Sequence, residues 1–171
     1  MNAANSFRYL DRPVPVGYDS LDAIETILID SDLLRAHIEA VVKEHPDLTS
    51  NGFDKRDDPS CARYRVETSQ PRFLEWVARA RAWILCRARF SRSFNRKCSS
   101  YGFKHRAEAV CGNYVSNGAF IAAALSLGFR IQRLPGSPNC LFAMSTLSPS
   151  RPVAPLRVAL TCVAEFQAKT S

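Results

Sequence analysis

The sequence predicts a mainly α fold of the α+β class, and three features carry that expectation. Apolar residues recur at helical spacing in several segments, with no apolar run long enough to span a membrane. Proline, glycine and serine fall where such helices would start and stop. Two short strand-like runs, 129–134 and 140–145, are separated by PGSPN, which is turn chemistry throughout. Over residues 99–145 the order is therefore helix, short turn, helix, hairpin.

Taken in order, residues 1–18 hold Pro13, Pro15 and Gly17 and read as an extended arm. Ser20 caps a helix from Leu21, with Leu21, Ile24, Ile27 and Leu28 on one stripe. Asp30 or Ser31 caps a second, 32–44, whose stripe is Leu34, Ile38, Val41 and Val42. His45-Pro46 ends it, because the residue before proline avoids the helical region. The pair would form an acidic helical hairpin. Residues 46–61 have loop composition and mark a boundary. The next run, ARYRVET at 62–68, alternates in polarity and reads as a short strand.

Ser69 or Gln70 caps a long helix with Pro71 in its first turn, where a missing N–H costs nothing. Phe73, Trp76, Val77, Ala80, Trp83 and Ile84 form its apolar stripe, and Glu75 and Arg79 are an i,i+4 pair in the favourable order. The next helix, 104–111, stops at Gly112. Ser116 caps another that runs to about 127 and closes at Gly128, a left-handed position. After residue 145 comes a proline-containing linker, then apolar positions 156, 159, 160, 163 and 166 that favour a final helix. The expected division is an acidic segment 1–60, a basic core 61–147, and a linker with a C-terminal helix or tail, 148–171.

Charge divides the same way. Residues 1–60 hold 6 Lys and Arg against 12 Asp and Glu, whereas residues 61–171 hold 17 against 4. Net charges of −6 and +13 give the whole 171-residue chain its +7. The sharpest excess lies in residues 72–106, with ten cations and one acid, Glu75. Trp76, Trp83, Phe90, Phe94, Tyr101 and Phe103 are interleaved with them. Arginine binds phosphate bidentately and stacks on bases, so such a band predicts salt-sensitive, largely sequence-independent affinity for nucleic acid. The competing readings are a solvated helix face and mutual attraction of the two halves.

Candidate nucleic-acid contacts are Arg79, Arg81, Arg87, Arg89, Arg92, Arg96 and Lys97, then Lys104, His105 and Arg106, Asn117, and the hairpin residues Arg130 and Arg133. On a helical wheel, Phe120, Ile121, Ala124, Leu125 and Gly128 share one side of the 116–127 helix. Ala119, Ala122, Ala123 and Ser126 share the other. That second side lacks the Arg, Lys, Asn or Gln of a base-reading helix. Its smoothness suits close approach by another helix or by a groove wall, and it is the candidate surface for a protein partner.

Catalytic patterns are absent: no Walker loop, GxGxxG, HExxH or GxSxG occurs. Carboxylates in the basic part are only Glu67, Glu75, Glu108 and Glu165, too few for a metal-dependent nuclease. Cys98, His105 and Cys111 lack the paired spacing of a zinc site. Six cysteines without a CxxC pair read as reduced thiols, and with no secretory pattern the expected location is cytoplasmic, off the membrane. No cofactor is expected.

The segment SSYGFKHRAE…YVSNGAFIAAALSLGF resembles small bacterial proteins of plasmids, phages and other mobile elements, and the order helix, turn, helix, hairpin resembles winged helix-turn-helix domains. The turn GNYV is longer than the usual tight connection of that fold. The resemblance implies a winged-helix-like core. Together these readings predict a non-enzymatic nucleic-acid-binding protein. The alternative is an interaction or inhibitory module that docks on a host protein complex.

Overall fold

Helices and three small antiparallel strand pairs build an α+β, helix-rich fold in the computed structural model, which describes residues 31–54 and 58–147. Helix α1 is Ser31–Glu44. A tight hairpin follows, β1 (Leu48–Thr49) and β2 (Gly52–Phe53). Next come α2 (Pro59–Glu67), α3 (Pro71–Arg87) and β3 (Ala88–Phe90). The remainder is α4 (Ser100–Cys111), α5 (Asn117–Ser126), β4 (Ile131–Arg133), β5 (Cys140–Phe142) and β6 (Met144–Thr146). The expected arm 1–18, the helix from Leu21, the linker after 147 and the C-terminal helix lie outside the described residues.

Local chemistry sets most of these boundaries. Gln70 precedes Pro71 at the first position of α3. The Ser116 hydroxyl accepts the Ala119 N–H at 3.1 Å and opens α5. Gly112, at φ 70°, closes α4, and Gly128, at φ 83°, follows the end of α5.

Two readings change. Residues 62–68 are not a strand but the body of α2. The Asp58 carboxylate caps that helix by accepting the Ser60 N–H at 2.8 Å, and Pro59 takes its first position. Its inward residues, Cys61 and Tyr64, are a helical step apart, so helical spacing outweighs the polar alternation. The 140–145 run splits at Ala143 into two strands with different partners. β5 pairs with β4 (Ile131 opposite Phe142), while β6 pairs with β3 (Phe90 opposite Met144).

One hydrophobic cluster extends from Leu34 on α1 to Met144 on β6. Its aromatic centre is Trp83, Phe103, Phe120 and Phe142, from α3, α4, α5 and β5, with Phe103 and Phe120 stacked at 6.2 Å and 4°. Helix α5 runs through the middle, touching α1, α3, α4 and β2. All ten of its residues are buried.

The β1–β2 hairpin is wedged between the start of α5 and the β4–β5 turn. Gly118 donates to the Ser50 carbonyl at 2.9 Å, and Phe53 donates to the Pro138 carbonyl at 2.8 Å. Asn117 Nδ2 reaches both the Asn51 carbonyl, 2.7 Å, and Asn139 Oδ1, 3.1 Å. A Cβ on Gly118 would overlap the Thr49 carbonyl oxygen, so the contact requires glycine. Gly118→Ala should therefore lower stability by at least about 2 kcal/mol, since the backbone it strikes cannot swing aside as a side chain would. Urea unfolding of the variant beside wild type measures this, and an unchanged midpoint would contradict the wedge.

Candidate nucleic-acid interface

The thirteen candidate contacts separate into two groups. One is used up inside the protein. Arg79, 8 % exposed, pairs with Glu75 on its own helix. Arg81 is fully buried, with its Nη2 2.9 Å from His37 Nδ1 on α1, while its Nε and Nη1 have no partner. Burial lowers this guanidinium to about 9. Asn117 is buried as the strut of the hairpin wedge. Arg133 grips Asp47 with both terminal nitrogens and lies over the Phe53 ring, 3.9 Å from its centroid. Both contacts join the acidic segment to a cation of the hairpin.

Lys104 is likewise withdrawn. It is 5 % exposed, bonds Glu108 at 2.8 Å and sits over the Tyr114 and Tyr101 rings. Glu108 also accepts the Val115 N–H at 3.0 Å and meets His105 Nδ1 at 2.7 Å. Burial alone would push the Glu108 carboxyl up. The Lys104 ammonium, the Val115 N–H and His105 outweigh it and hold the group below its ordinary value. Glu108 thereby braces α4 against the 112–116 turn. His105 remains exposed on the solvent side of this pair, edge-on to Tyr101.

The other group gathers around the loop 91–98, which β3 leads into. Ser91 N–H donates to the Ala143 carbonyl at 3.0 Å, and Asn95 N–H to the Phe142 carbonyl at 2.8 Å. Asn95 Nδ2 adds a bond to the Met144 carbonyl at 3.2 Å. The loop is thus fastened along β5 and β6 instead of trailing in solvent. Arg130, from just before β4, reaches over it, with Nη2 2.7 Å from the Arg92 carbonyl and its guanidinium 5.5 Å from the Phe94 ring centroid. Arg92, Arg96, Lys97 and Arg130 are exposed, and Arg89 and Arg87 are half-buried at the loop's root. Arg106 is exposed on α4 and close enough to Cys98 to draw its thiol down, although burial wins and the thiol is raised. No acid lies between residues 88 and 147 except the engaged Glu108.

The smooth face of α5 is not available to a partner. Ala119, Ala122 and Ala123 are 0 % exposed and Ser126 is 1 %, covered by the protein's own elements. The wheel showed two chemically distinct sides, but small residues admit close neighbours on both. What sequence reasoning missed was the fastening of the loop. Its signal lay in pairing β3 with β6, strands distant in sequence, which no local pattern announces.

Among the described residues, no group of three His, Cys, Asp or Glu side chains gathers as a metal site. The described cysteines 61, 86, 98, 111 and 140 are free. No helix there is long and apolar enough to cross a membrane. No protein-family model, no curated protein and no solved structure matches this chain.

Two substitutions test this sorting. Arg81→Met should raise stability at neutral pH by about 1–4 kcal/mol, because it removes a buried cation with unmet donors. A base whose folded pKa is lowered costs stability while protonated, and the cost is relieved as pH rises through about 9. The advantage of the variant should accordingly shrink above that pH in urea titrations. Glu108→Gln should cost about 1–3 kcal/mol by leaving Lys104 buried without its anion. Wild-type stability contributed by Glu108 is present above the ordinary carboxylate range and lost as pH falls through its lowered folded pKa. Thermal melts at descending acidic pH should show the gap between wild type and variant closing.

Proposed function

We propose that this protein binds nucleic acid without acting on it chemically, mainly through phosphate contacts on the 91–98 face. The observation that carries this reading is the fastened loop, with Arg92, Arg96 and Lys97 exposed on it and Arg130 and Arg106 flanking it. Cations held on an anchored backbone lose less conformational freedom on meeting phosphates than cations on a free tail. Between residues 88 and 147 the sole acid, Glu108, is engaged by Lys104, so this part of the chain offers no free carboxylate to repel a polyanion.

The winged-helix-like reading of the core belongs to the same proposal. The order α4, turn, α5, hairpin is in keeping with it. On this reading the second helix acts as a central strut, and phosphate contacts come from its surroundings. Sequence-specific readout has no support from α5, whose side chains are all enclosed. The scarcity of acids favours a binding role over catalysis.

Arg92→Ala and Arg96→Ala should each weaken binding to unrelated sequences alike. Each should also lessen the slope of log affinity against log salt by about one unit. Arg79→Ala, whose side chain is tied to Glu75, should leave the slope unchanged. Fluorescence anisotropy across a salt series reads all three. Absence of binding to any nucleic acid at low salt would overturn the proposal.

A further inference from the structure

We infer that the 91–98 face prefers single-stranded nucleic acid to duplex, with Phe90 as a platform on which a base stacks. This rests on the polyanion-binding reading above and narrows its substrate class.

Phe90 ends β3 immediately before the loop that carries the exposed cations Arg92, Arg96 and Lys97, and is itself 46 % exposed. Buried Phe129 packs against it, centroids 4.4 Å apart and planes 33° from parallel. The ring is thereby fixed in place, so covering it with a base forfeits little side-chain freedom while removing apolar area from water. A second flat group stands across the loop, where the Arg130 guanidinium lies over Phe94. Aromatic rings and guanidinium planes accept the face of any base, but only when that base is unpaired and splayed out.

Among the described residues, the helix that follows the turn and the two strand ribbons are withheld from duplex readout, and α4 borders this face only through Arg106. The major groove admits a protruding helix or a two-stranded ribbon. Helix α5 is enclosed on every side. The β3–β6 ribbon is tied to the core through buried Ala88 and Met144 and does not project. The hairpin β4–β5 holds Arg133 in its grip on Asp47. A face built of strand end and anchored loop, with phosphate-binding cations around an exposed ring, matches a flexible strand whose bases turn inward and whose phosphates lie outward.

The test compares three labelled ligands of equal length at low salt: oligothymidine, the same strand with its bases removed, and a DNA duplex. Oligothymidine should bind at least about tenfold tighter than either of the others, and oligouridine should behave as oligothymidine does. Phe90→Ala should lower oligothymidine affinity about 5- to 150-fold, with abasic and duplex binding and the salt slope unchanged. Phe90→Trp should restore it. If the duplex or the abasic strand binds as tightly as oligothymidine, the inference falls. If that equal binding still depends on Arg92 and Arg96, the polyanion reading survives alone. If none of the ligands binds, both fall. The abasic comparison uses wild-type protein, so its outcome does not depend on how well a Phe90 variant folds.

Discussion

The rest of the structure is arranged around the full enclosure of helix α5. A helix can be surrounded only if its side chains are short enough for neighbours to approach on several sides at once. Residues 117–126 meet that condition with a run of alanines and a glycine, while Phe120 and Ile121 supply the volume that fills the centre. Alanine favours the helical state without help from packing, so one segment satisfies both local and tertiary demands. The hairpin 48–53, α1, α3 and α4 are then located by where they touch it. The close pass of Thr49 at Gly118 fixes the hairpin, and the hairpin fixes Asp47, which takes up Arg133.

Enclosure also decides which charges reach solvent. The long helix α3 must bury most of its circumference against α5, α4 and α1, and Arg79 and Arg81 go in with it. Arg79 takes Glu75 along, which offsets its desolvation. Arg81 has only His37 at one nitrogen, the costlier solution. Past Arg87 the chain leaves the helix, and from there the cations turn outward onto β3 and the loop. The basic character concentrated over residues 72–106 is thus divided between side chains engaged inside the protein, such as Arg79, Arg81 and Lys104, and side chains exposed to solvent, such as Arg92, Arg96 and Lys97.

Much of the helical framework was legible because its signals are local. Pro71, Ser116, Gly112 and Gly128 mark element ends by conformational preferences that packing does not override. The 62–68 stretch was misread because polar alternation on a short surface helix imitates a strand, while the Asp58-Pro59 start outweighed it. The alanine face of α5 was misread for a different reason. Alanine is compatible with water, with lipid-like interiors and with close helix contacts, so its environment is decided by neighbours. For arginine the default expectation is exposure, and only the packing of α1 on α3 reveals that Arg81 is an exception. The fastening of the 91–98 loop depended on β3 meeting β6 across the whole length of α4, α5 and the β4–β5 hairpin, a pairing set by topology.

That long-range pairing also carries an order of assembly. Joining residue 88 to residue 146 closes a large loop, whose entropy must be spent before the strand contacts return any energy. The β4–β5 hairpin closes over nearer partners, whereas the hairpin 48–53 meets Asn117 and Pro138 across still longer separations. The carbonyls that hold the 91–98 segment belong to Phe142, Ala143 and Met144, so that segment acquires its shape only when the ring is closed. The cationic face in this sense follows the meeting of β3 with β6, and a chain released before residues 142–144 would present its arginines without the carbonyls that organise them.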